Sequence, residues 1–304
     1  MMPPVSDPPS DEPGLLATVR DALRGTEHDL TAVSIRRAVI LLAVPTMLEM
    51  SMESLLTIVD IFFVSKLGSD AIATVGLTES MLSPVYAIAM GLSAGATAII
   101  SRRIGEKNPD AAASAAIQVI VLAVAAASIL GVLGVVLAPR LLGWMGASRA
   151  VIAEGTSYTA LMLGGSVTIF ILFVVNAIFR SAGDAATAMR SLWLANILNM
   201  VLAPCFIFGL GPSPRMGVFG AAFAMTLSRG IGVLYQVTLL VRGKSRFTIT
   251  RRHLALDTVV VKELVRIGTP AAMQVLIETA SWLGLVRIIS TYGSLALAGY
   301  TIAM

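Results

Sequence analysis

The sequence has few charged residues, little aromatic content and almost no cysteine or histidine. Charged residues make up 13% of the 304 residues, against about 25% in an average globular protein. Cys205 is the single cysteine, which excludes an internal disulfide framework. The two histidines, His28 and His253, lie apart in polar segments and form no cluster with metal-ligand spacing. These absences argue against a soluble fold, a disulfide-stapled domain and hydrolase chemistry based on His or Cys.

Long apolar runs take the place of the missing charge. Apolar residues make up 56% of the chain and the mean hydropathy is +0.85, too much apolar surface for a soluble fold of this length to bury. The charges are clustered and leave apolar stretches of about 20 residues, the length of a spanning helix. We therefore predict an all-α, polytopic membrane protein. Its predicted spans are 38–64, 73–100, 112–137, 155–179, 190–210, 217–241, 265–290 and an eighth that begins near 295.

Lysine and arginine set the predicted orientation. With the N-terminus in the cytoplasm, 16 of them fall on the cytoplasmic side and 4 on the outer side, the asymmetry that the positive-inside rule expects. We therefore predict a multi-pass protein of the plasma (inner) membrane with a cytoplasmic N-terminus. Residues 1–34 are predicted to form a disordered, Pro-rich tail followed by an amphipathic surface helix at 14–30.

An internal repeat relates the seventh predicted span to the first. A shift of 225 residues places Pro45 on Pro270 and Glu53 on Glu278 without a gap. Proline and glutamate are both rare inside membrane spans, so their joint recurrence is not expected by chance. Six spans separate the copies, so both copies run in the same direction, as in a two-lobed transporter whose substrate path lies between the lobes.

The repeat defines the predicted domains. Residues 35–241 form an N-lobe of six transmembrane helices, 242–264 form a cytoplasmic linker, and 265–304 begin a C-lobe with helix seven and part of helix eight. A helix ending at Met304 would leave carbonyls unsatisfied in lipid, so we expect a fragment that does not transport alone. A natural seven-helix protein with a tail is the alternative.

The first span carries three carboxylates on one face. Glu49, Glu53 and Asp60 fall within about 40° of one another along about 16 Å of helix axis. Ionised carboxylates in hydrocarbon are costly, so they should face a water-filled cavity or carry a proton. Pro45 lies near the same stripe and allows the helix to bend. We therefore predict that proton exchange at these acids, coupled to bending of the helix, drives alternating access. The alternative is that the acids line a solvated cavity without moving.

The seventh span repeats part of this pattern around Pro270. Glu278 and Trp282 share a helix face, an arrangement that suits an organic cation through charge and cation–π attraction, although Trp282 alone is more often a packing residue. Arg287 lies half a turn round from Glu278, so the two are not expected to pair. Glu79, early in the second span, is interpreted as interfacial.

Several runs of the sequence resemble one family of transporters. They are AVPTMLEMSMESLLTIVDIFFVSKLGSDAIATVGL (43–77), NAIFRSAGD (176–184), LNMVLAPCFIFGLG (198–211), GVFGAAFAMTLS (217–228) and IGTPAAMQVLIE (267–278). The sequence is thereby similar to the multidrug and toxic compound extrusion (MATE) family over residues 36–304, about two-thirds of a twelve-helix member. In 176–184, Arg180 is interpreted as tying a cytoplasmic turn that Gly183 permits, with Asn176 and Asp184 also structural.

The resemblance implies an antiporter that exports cationic or amphipathic compounds in exchange for H⁺ or Na⁺. It assigns Asp60 and Asn199 to an N-lobe ion site, where Na⁺ is one candidate, and Glu278 to a C-lobe site. Glu53 joins them as an ion-coupling residue, with Glu49 and Trp282 in the substrate cavity. Ala203 stands where the family often has Asp, and Met225, beside Thr226, where it often has Thr.

A Na⁺ site would therefore be short of ligands, and we favour protons. We expect no other cofactor, no enzymatic activity, no nucleic-acid partner and, in the complete protein, a monomer in the bilayer.

Two alternatives remain open from the sequence. A lipid-linked oligosaccharide flippase of the same superfamily would need a strongly cationic cavity for pyrophosphate. The residues within the spans are mainly acidic instead; they are Glu49, Glu53, Asp60 and Glu278 against Arg229 and Arg287. A membrane receptor, the second alternative, would not explain the 225-residue repeat.

Overall fold

The computed structural model describes residues 14–25, 33–242 and 257–290. All regular structure in these ranges is α-helical, which confirms the predicted all-α class. The helices are α1 (Leu15–Arg24), α2 (Ile35–Ser65), α3 (Ser69–Gly105), α4 (Pro109–Trp144), α5 (Arg149–Gly164), α6 (Ser166–Ser181), α7 (Ala185–Phe208), α8 (Val218–Val241) and α9 (Thr258–Ser290).

Six segments of the described chain are long and apolar enough to cross a membrane. They are α2, α3, α4, the α5–α6 pair, α7 and α8, and each contains most of one predicted span of the N-lobe. The fourth span, predicted as continuous over 155–179, is divided at Gly165 into α5 and α6. A Cβ on Gly165 would lie 3.0 Å from the Thr226 side chain of α8, so glycine allows α8 to approach the break closely.

Helix α4 packs against the interior of the bundle mainly through small residues and presents large apolar residues on the outside. On α4, Ala112, Ala116 and Ala123 are fully buried, whereas Ile129 and Val132 are 63% and 64% exposed. Close packing through small residues is the usual way in which helices associate in lipid. The exposed apolar belt is therefore the surface that contacts the hydrocarbon.

The short helix α1 packs against the beginnings of α2 and α7. Arg37 pairs with Asp21 at 3.1 Å, and Nη2 of Arg190 donates to the carbonyl oxygens of Leu23 and Arg24 at 2.7 and 2.8 Å. Gly25 adopts a left-handed conformation that ends α1, and residues 26–30 of the predicted helix at 14–30 lie outside the described ranges. Residues 1–13 lie outside the described ranges.

Helix α9 contains the predicted seventh span and packs mainly on α3. It begins at Thr258 rather than at 265, so the last residues assigned to the linker belong to the helix. A Cβ on Gly91 would lie 2.5 Å from the carbonyl oxygen of Gly268, so the two backbones are in direct contact. The rest of the predicted linker, 243–256, and the beginning of the predicted eighth span lie outside the described residues.

Candidate functional site

The acid-bearing helix α2 runs without interruption through Pro45. Proline has no N–H, so the carbonyl of Leu41 lacks the donor that an α-helix normally supplies from four residues ahead. The Thr46 hydroxyl donates to the carbonyl oxygen of Leu42 at 2.8 Å. The turn before Glu49 is thus the point at which the hydrogen-bond ladder of α2 is weakest.

Glu49 forms the centre of a buried network that joins α2, α6 and α8. Arg180 Nη1 lies 3.1 Å from Glu49 Oε2, and Asn176 Nδ2 donates to Glu49 Oε1 at 3.2 Å. Gln236 of α8 in turn donates to Asn176 Oδ1. Glu49 is only 6% exposed and both of its oxygens are bonded. Both oxygens of Glu49 are thus engaged within the protein, and its place in the substrate cavity stays a prediction. We call these four residues the Glu49 cluster.

The cluster also adds to the interpretation of the 176–184 run. The Arg180 guanidinium binds the carboxylate on α2, while the Arg180 carbonyl oxygen accepts a hydrogen bond from Gly183 N–H at 3.0 Å in the turn that follows. The other structural roles are confirmed: Gly183 has a φ of 86°, and Asp184 Oδ1 accepts a hydrogen bond from the backbone N–H of Thr187 at 3.0 Å, which caps α7.

Asp60 and Asn199 meet across the α2–α7 interface, as the resemblance implied. Asn199 Nδ2 lies 3.1 Å from Asp60 Oδ1 and 3.2 Å from Oδ2, so one amide donates to both carboxylate oxygens. Asn199 is 1% exposed, and its Oδ1 has no hydrogen-bond partner among the described residues. The carboxylate is thus held at the interface by a donor that suits its ionised form.

Residues that the sequence did not assign to a site complete the surroundings of Asp60. Arg229, midway along α8, donates from Nη2 to the Tyr86 hydroxyl of α3 at 3.1 Å. Its charge interacts with Asp60 and with Glu79. The buried Tyr158 of α5 interacts electrostatically with Asp60, Glu79 and Arg229. We call the set the Asp60 cluster; it comprises Asp60, Glu79, Tyr86, Tyr158, Asn199 and Arg229.

The sequence held a partial signal for these missed residues. Arg229 is an arginine inside an apolar run, which usually marks function in a membrane helix. The sequence interprets Glu79 as interfacial because it lies early in the second span. Helix α3 begins at Ser69, so Glu79 lies about 15 Å along the helix, and its interfacial position stays a prediction.

Glu53 and Glu278, the pair related by the repeat, are both exposed on the described surface. Glu53 lies one turn after Glu49, and its charge reaches Tyr86 and Arg229. Glu278 accepts a hydrogen bond from Gln274 Nε2 at 3.0 Å on α9. The side chains of Trp282 and Arg287 lie outside the described residues, so the predicted pairing of Trp282 with an organic cation stays a prediction.

The described residues do not fit a sodium ion at Asp60. A hard cation requires several oxygen ligands, but Asn199 presents its N–H₂ group to Asp60, and Ala203 supplies no oxygen. Arg229 adds a positive charge to the same cluster. Within the described ranges no group of three or more His, Cys, Asp or Glu side chains forms a metal site.

The sequence matches known transporters along most of its length. The sequence model of the MatE family matches residues 45–205. The chain is 30% identical over 272 residues to the "Probable multidrug resistance protein NorM" of Thermotoga maritima, covering 89% of this chain and 58% of that protein. It is 29% identical over 201 residues to a FAD transporter of Shewanella oneidensis, covering 66% of this chain and 44% of that protein.

Solved structures give the same result for the fold. A MATE protein in complex with MaD5 superposes with a TM-score of 0.84 at 29% identity, covering 91% of this chain and 62% of that one. A MATE protein in a straight and in a bent conformation gives TM-scores of 0.82 and 0.81, each at 29% identity and covering 93% of this chain and 61% of the other. The chain spans about 60% of the length of the relatives that it matches. It belongs to the MatE family, the multidrug and toxic compound extrusion transporters that its motifs resemble.

Proposed function

We propose that this chain belongs to a proton-coupled antiporter that exports cationic or amphipathic compounds by alternating access. The observation that carries the proposal is the Asp60–Asn199 contact at 3.1 and 3.2 Å, which joins the proline-containing helix α2 to α7. The described residues at this contact include a carboxylate that can accept a proton, but they lack the several oxygen ligands that a sodium ion requires. The coupling ion is therefore H⁺.

Protonation of Asp60 changes what the contact can do. An ionised carboxylate accepts hydrogen bonds at both oxygens, whereas a protonated one donates from one of them. The Asn199 amide, which donates to both oxygens, can then donate to the unprotonated oxygen only, so one of the two contacts weakens. Loss of this contact weakens the hold of α7 on the end of α2.

Weaker contact between α7 and the end of α2 allows α2 to move. The helix remains tied to α6 through Glu49 and Arg180, and the ladder is interrupted one turn earlier at Pro45. A helix that is tied at one point, released at another and weakened at a proline can bend. Bending of α2 would open or close the cleft in which the substrate binds.

The exposed acidic side chains favour cationic substrates. Glu53 and Glu278 are exposed and occupy equivalent positions in the two repeats, while Arg229 is engaged with Tyr86. The relatives named as probable multidrug resistance proteins support export of drugs in general. An anionic dinucleotide such as the substrate of the Shewanella relative fits the acidic pair less well.

The proposed protein acts as a monomer in the plasma (inner) membrane, with its N-terminus in the cytoplasm and with protons as the only coupling ion. The proposal depends on the whole transporter, so its tests use the full-length product of the intact gene.

The test is export of a cationic dye from vesicles that hold a proton gradient. Asp60→Asn keeps the shape and an oxygen of the side chain but removes the ionisable group, so export should fall to the background level. Asp70→Asn is the matched control, because Asp70 is exposed in the first turn of α3 and lies outside both clusters. Wild-type export by Asp60→Asn would rule out the proposed coupling.

A further inference from the structure

We propose that helix α1 is the fixed end of a hinge: it joins the beginnings of α2 and α7, so that α2 separates from α7 only toward its C-terminal end. The inference rests on the proposed movement of α2 and adds the element that decides which part of the helix moves. The motifs that resemble the family begin at residue 43, so α1 precedes all of them.

Polar contacts at the C-terminal end of α1 reach both partner helices. Asp21 pairs with Arg37, in the first turn of α2, at 3.1 Å. Nη2 of Arg190, in the second turn of α7, donates to the carbonyl oxygens of the last two residues of α1 at 2.7 and 2.8 Å. Such carbonyls have no partner within their own helix, and a cation beside them is favoured by the helix dipole. We call these three contacts the α1 bridge.

The backbone of α1 also fits closely against α7. Gly25, which ends α1, has a φ of 69°, and a Cβ at this position would lie 3.0 Å from Ala186 Cβ and 3.4 Å from Asp184 Oδ1. Thr18 and Ala22, one turn apart on α1, are almost fully buried. Helix α1 is therefore docked on the bundle by packing as well as by the α1 bridge.

Two further contacts join α2 to α7 beyond the α1 bridge. Trp193 Nε1 donates to the Leu48 carbonyl oxygen at 3.3 Å, and Asn199 Nδ2 donates to the two Asp60 oxygens. A guanidinium and a backbone carbonyl do not gain or lose a proton, whereas the Asp60 carboxylate can. The interface is therefore releasable at the end that holds Asp60 and is held at the end that contacts α1.

Pro45 lies between these two ends of α2. It follows Arg37 by eight residues and precedes Asp60 by fifteen, which are about 12 and 22 Å of helix. Because the hydrogen-bond ladder is weakest at this proline, the segments on either side of it can change their mutual angle. A bend of about 20° at Pro45 would move residue 60 by about 8 Å, while the bridged segment stays against α7.

The experiment measures spin-label distances by double electron–electron resonance in the purified full-length protein, in a Cys205→Ala background. The first pair of labels, on Val39→Cys and Leu194→Cys, reports on the bridged segment of α2 relative to α7. The second pair, on Ile61→Cys and Val201→Cys, reports on the end near Asn199. All four labelled positions are exposed.

Asn199→Ala releases the far contact directly, without any change of protonation. With the α1 bridge intact, this substitution should change the second distance by about 8 Å and leave the first distance unchanged. Addition of Arg37→Ala and Arg190→Ala should shift or broaden the first distance as well, because the bridge is then lost. The matched control adds Arg24→Ala and Arg36→Ala instead, which removes two exposed arginines beside the bridge and should leave the first distance unchanged.

The first distance decides the inference. A change in this distance while the bridge is intact, no change after the bridge is removed, or an equal response to the control substitutions would overturn it. If the triple variant does not fold, Asn199→Ala/Arg190→Ala is compared with Asn199→Ala/Arg24→Ala by the same criteria. The second distance tests the proposed function instead: no change there in Asn199→Ala would contradict the proposed release of α2, and the first distance would still decide the role of α1.

Discussion

Single residues on α2 show how three similar acids acquire different tasks. Glu49, Glu53 and Asp60 lie on one stripe of the helix, but their partners come from different neighbours. Glu49 is bonded to Arg180 and Asn176 and is buried; Glu53 is exposed; Asp60 is held by Asn199. Glu49 is therefore held within the protein, Glu53 is open to the surroundings, and Asp60 lies at a contact that we propose protonation changes.

The anchoring role of Glu49 predicts a loss of stability. Glu49→Ala leaves the Arg180 guanidinium and the Asn176 amide without the carboxylate that they share, which should lower the free energy of unfolding by about 1.5–3 kcal/mol. Glu53→Ala is the matched control one turn away, because the Glu53 side chain makes no hydrogen bond within the described structure, and should change stability little. Thermal unfolding in detergent measures both.

A double variant separates the pair from the individual side chains. Glu49→Ala/Arg180→Ala should be scarcely less stable than the worse single variant, since the second substitution removes a group that has already lost its partner. Additive losses in the two single variants would show that Glu49 and Arg180 stabilise the fold independently, contrary to the network described here.

The sequence predicted Asp60 and Asn199 as neighbours but not the function of Glu49 or the surroundings of Arg229. Asp60 and Asn199 lie in two runs that resemble a known family, and the resemblance implied that the two residues share one site. Helix periodicity could place Glu49 and Asp60 on one stripe of α2, but it contains no information about which helix packs against each. Glu49 meets α6 and Arg229 meets α3 through tertiary packing, which a single sequence does not reveal.

At the scale of whole helices, α3 and α9 form a contact that requires glycine. A Cβ on Gly91 would lie 2.5 Å from the Gly268 carbonyl oxygen and 2.6 Å from Ala272 Cβ. The first distance is to backbone, which cannot rotate away as a side chain can. The contact joins a helix of the N-lobe to the first helix of the repeat, so it fixes how closely the two can approach.

This contact predicts opposite effects for two glycines of α3. Gly91→Ala should force α9 away from α3 and destabilise the protein by about 1–3 kcal/mol. Gly76→Ala adds the same methyl group where no atom lies within 4 Å, and the better helix propensity of alanine should leave stability unchanged or raise it by up to about 1 kcal/mol. Equal thermal stability of the two variants in detergent would refute the close packing.

Across the whole molecule, the two clusters occupy different depths of the lobe. Asp60 lies eleven residues after Glu49 on α2, about 16 Å along the helix. Glu49 binds two residues near the C-terminal end of α6, one of which is bonded to Gln236 near the C-terminal end of α8. Asp60 lies nearer the opposite end of the bundle, close to the C-terminal end of α2. With the cytoplasmic N-terminus that we propose, the Glu49 cluster would join helices in the inner half of the lobe, and the Asp60 cluster would lie in the outer half, where protons could enter from outside.

The direction of export therefore depends on topology, which cysteine labelling can test. In a Cys205→Ala background, Glu106→Cys follows α3 and Arg149→Cys begins α5; each replaces an exposed charged residue at an opposite end of α4. A membrane-impermeant maleimide added to intact cells should label Arg149→Cys and leave Glu106→Cys unlabelled until the cells are permeabilised. The reverse pattern would place the Asp60 cluster in the inner half, and entry of protons at Asp60 from outside would then be wrong.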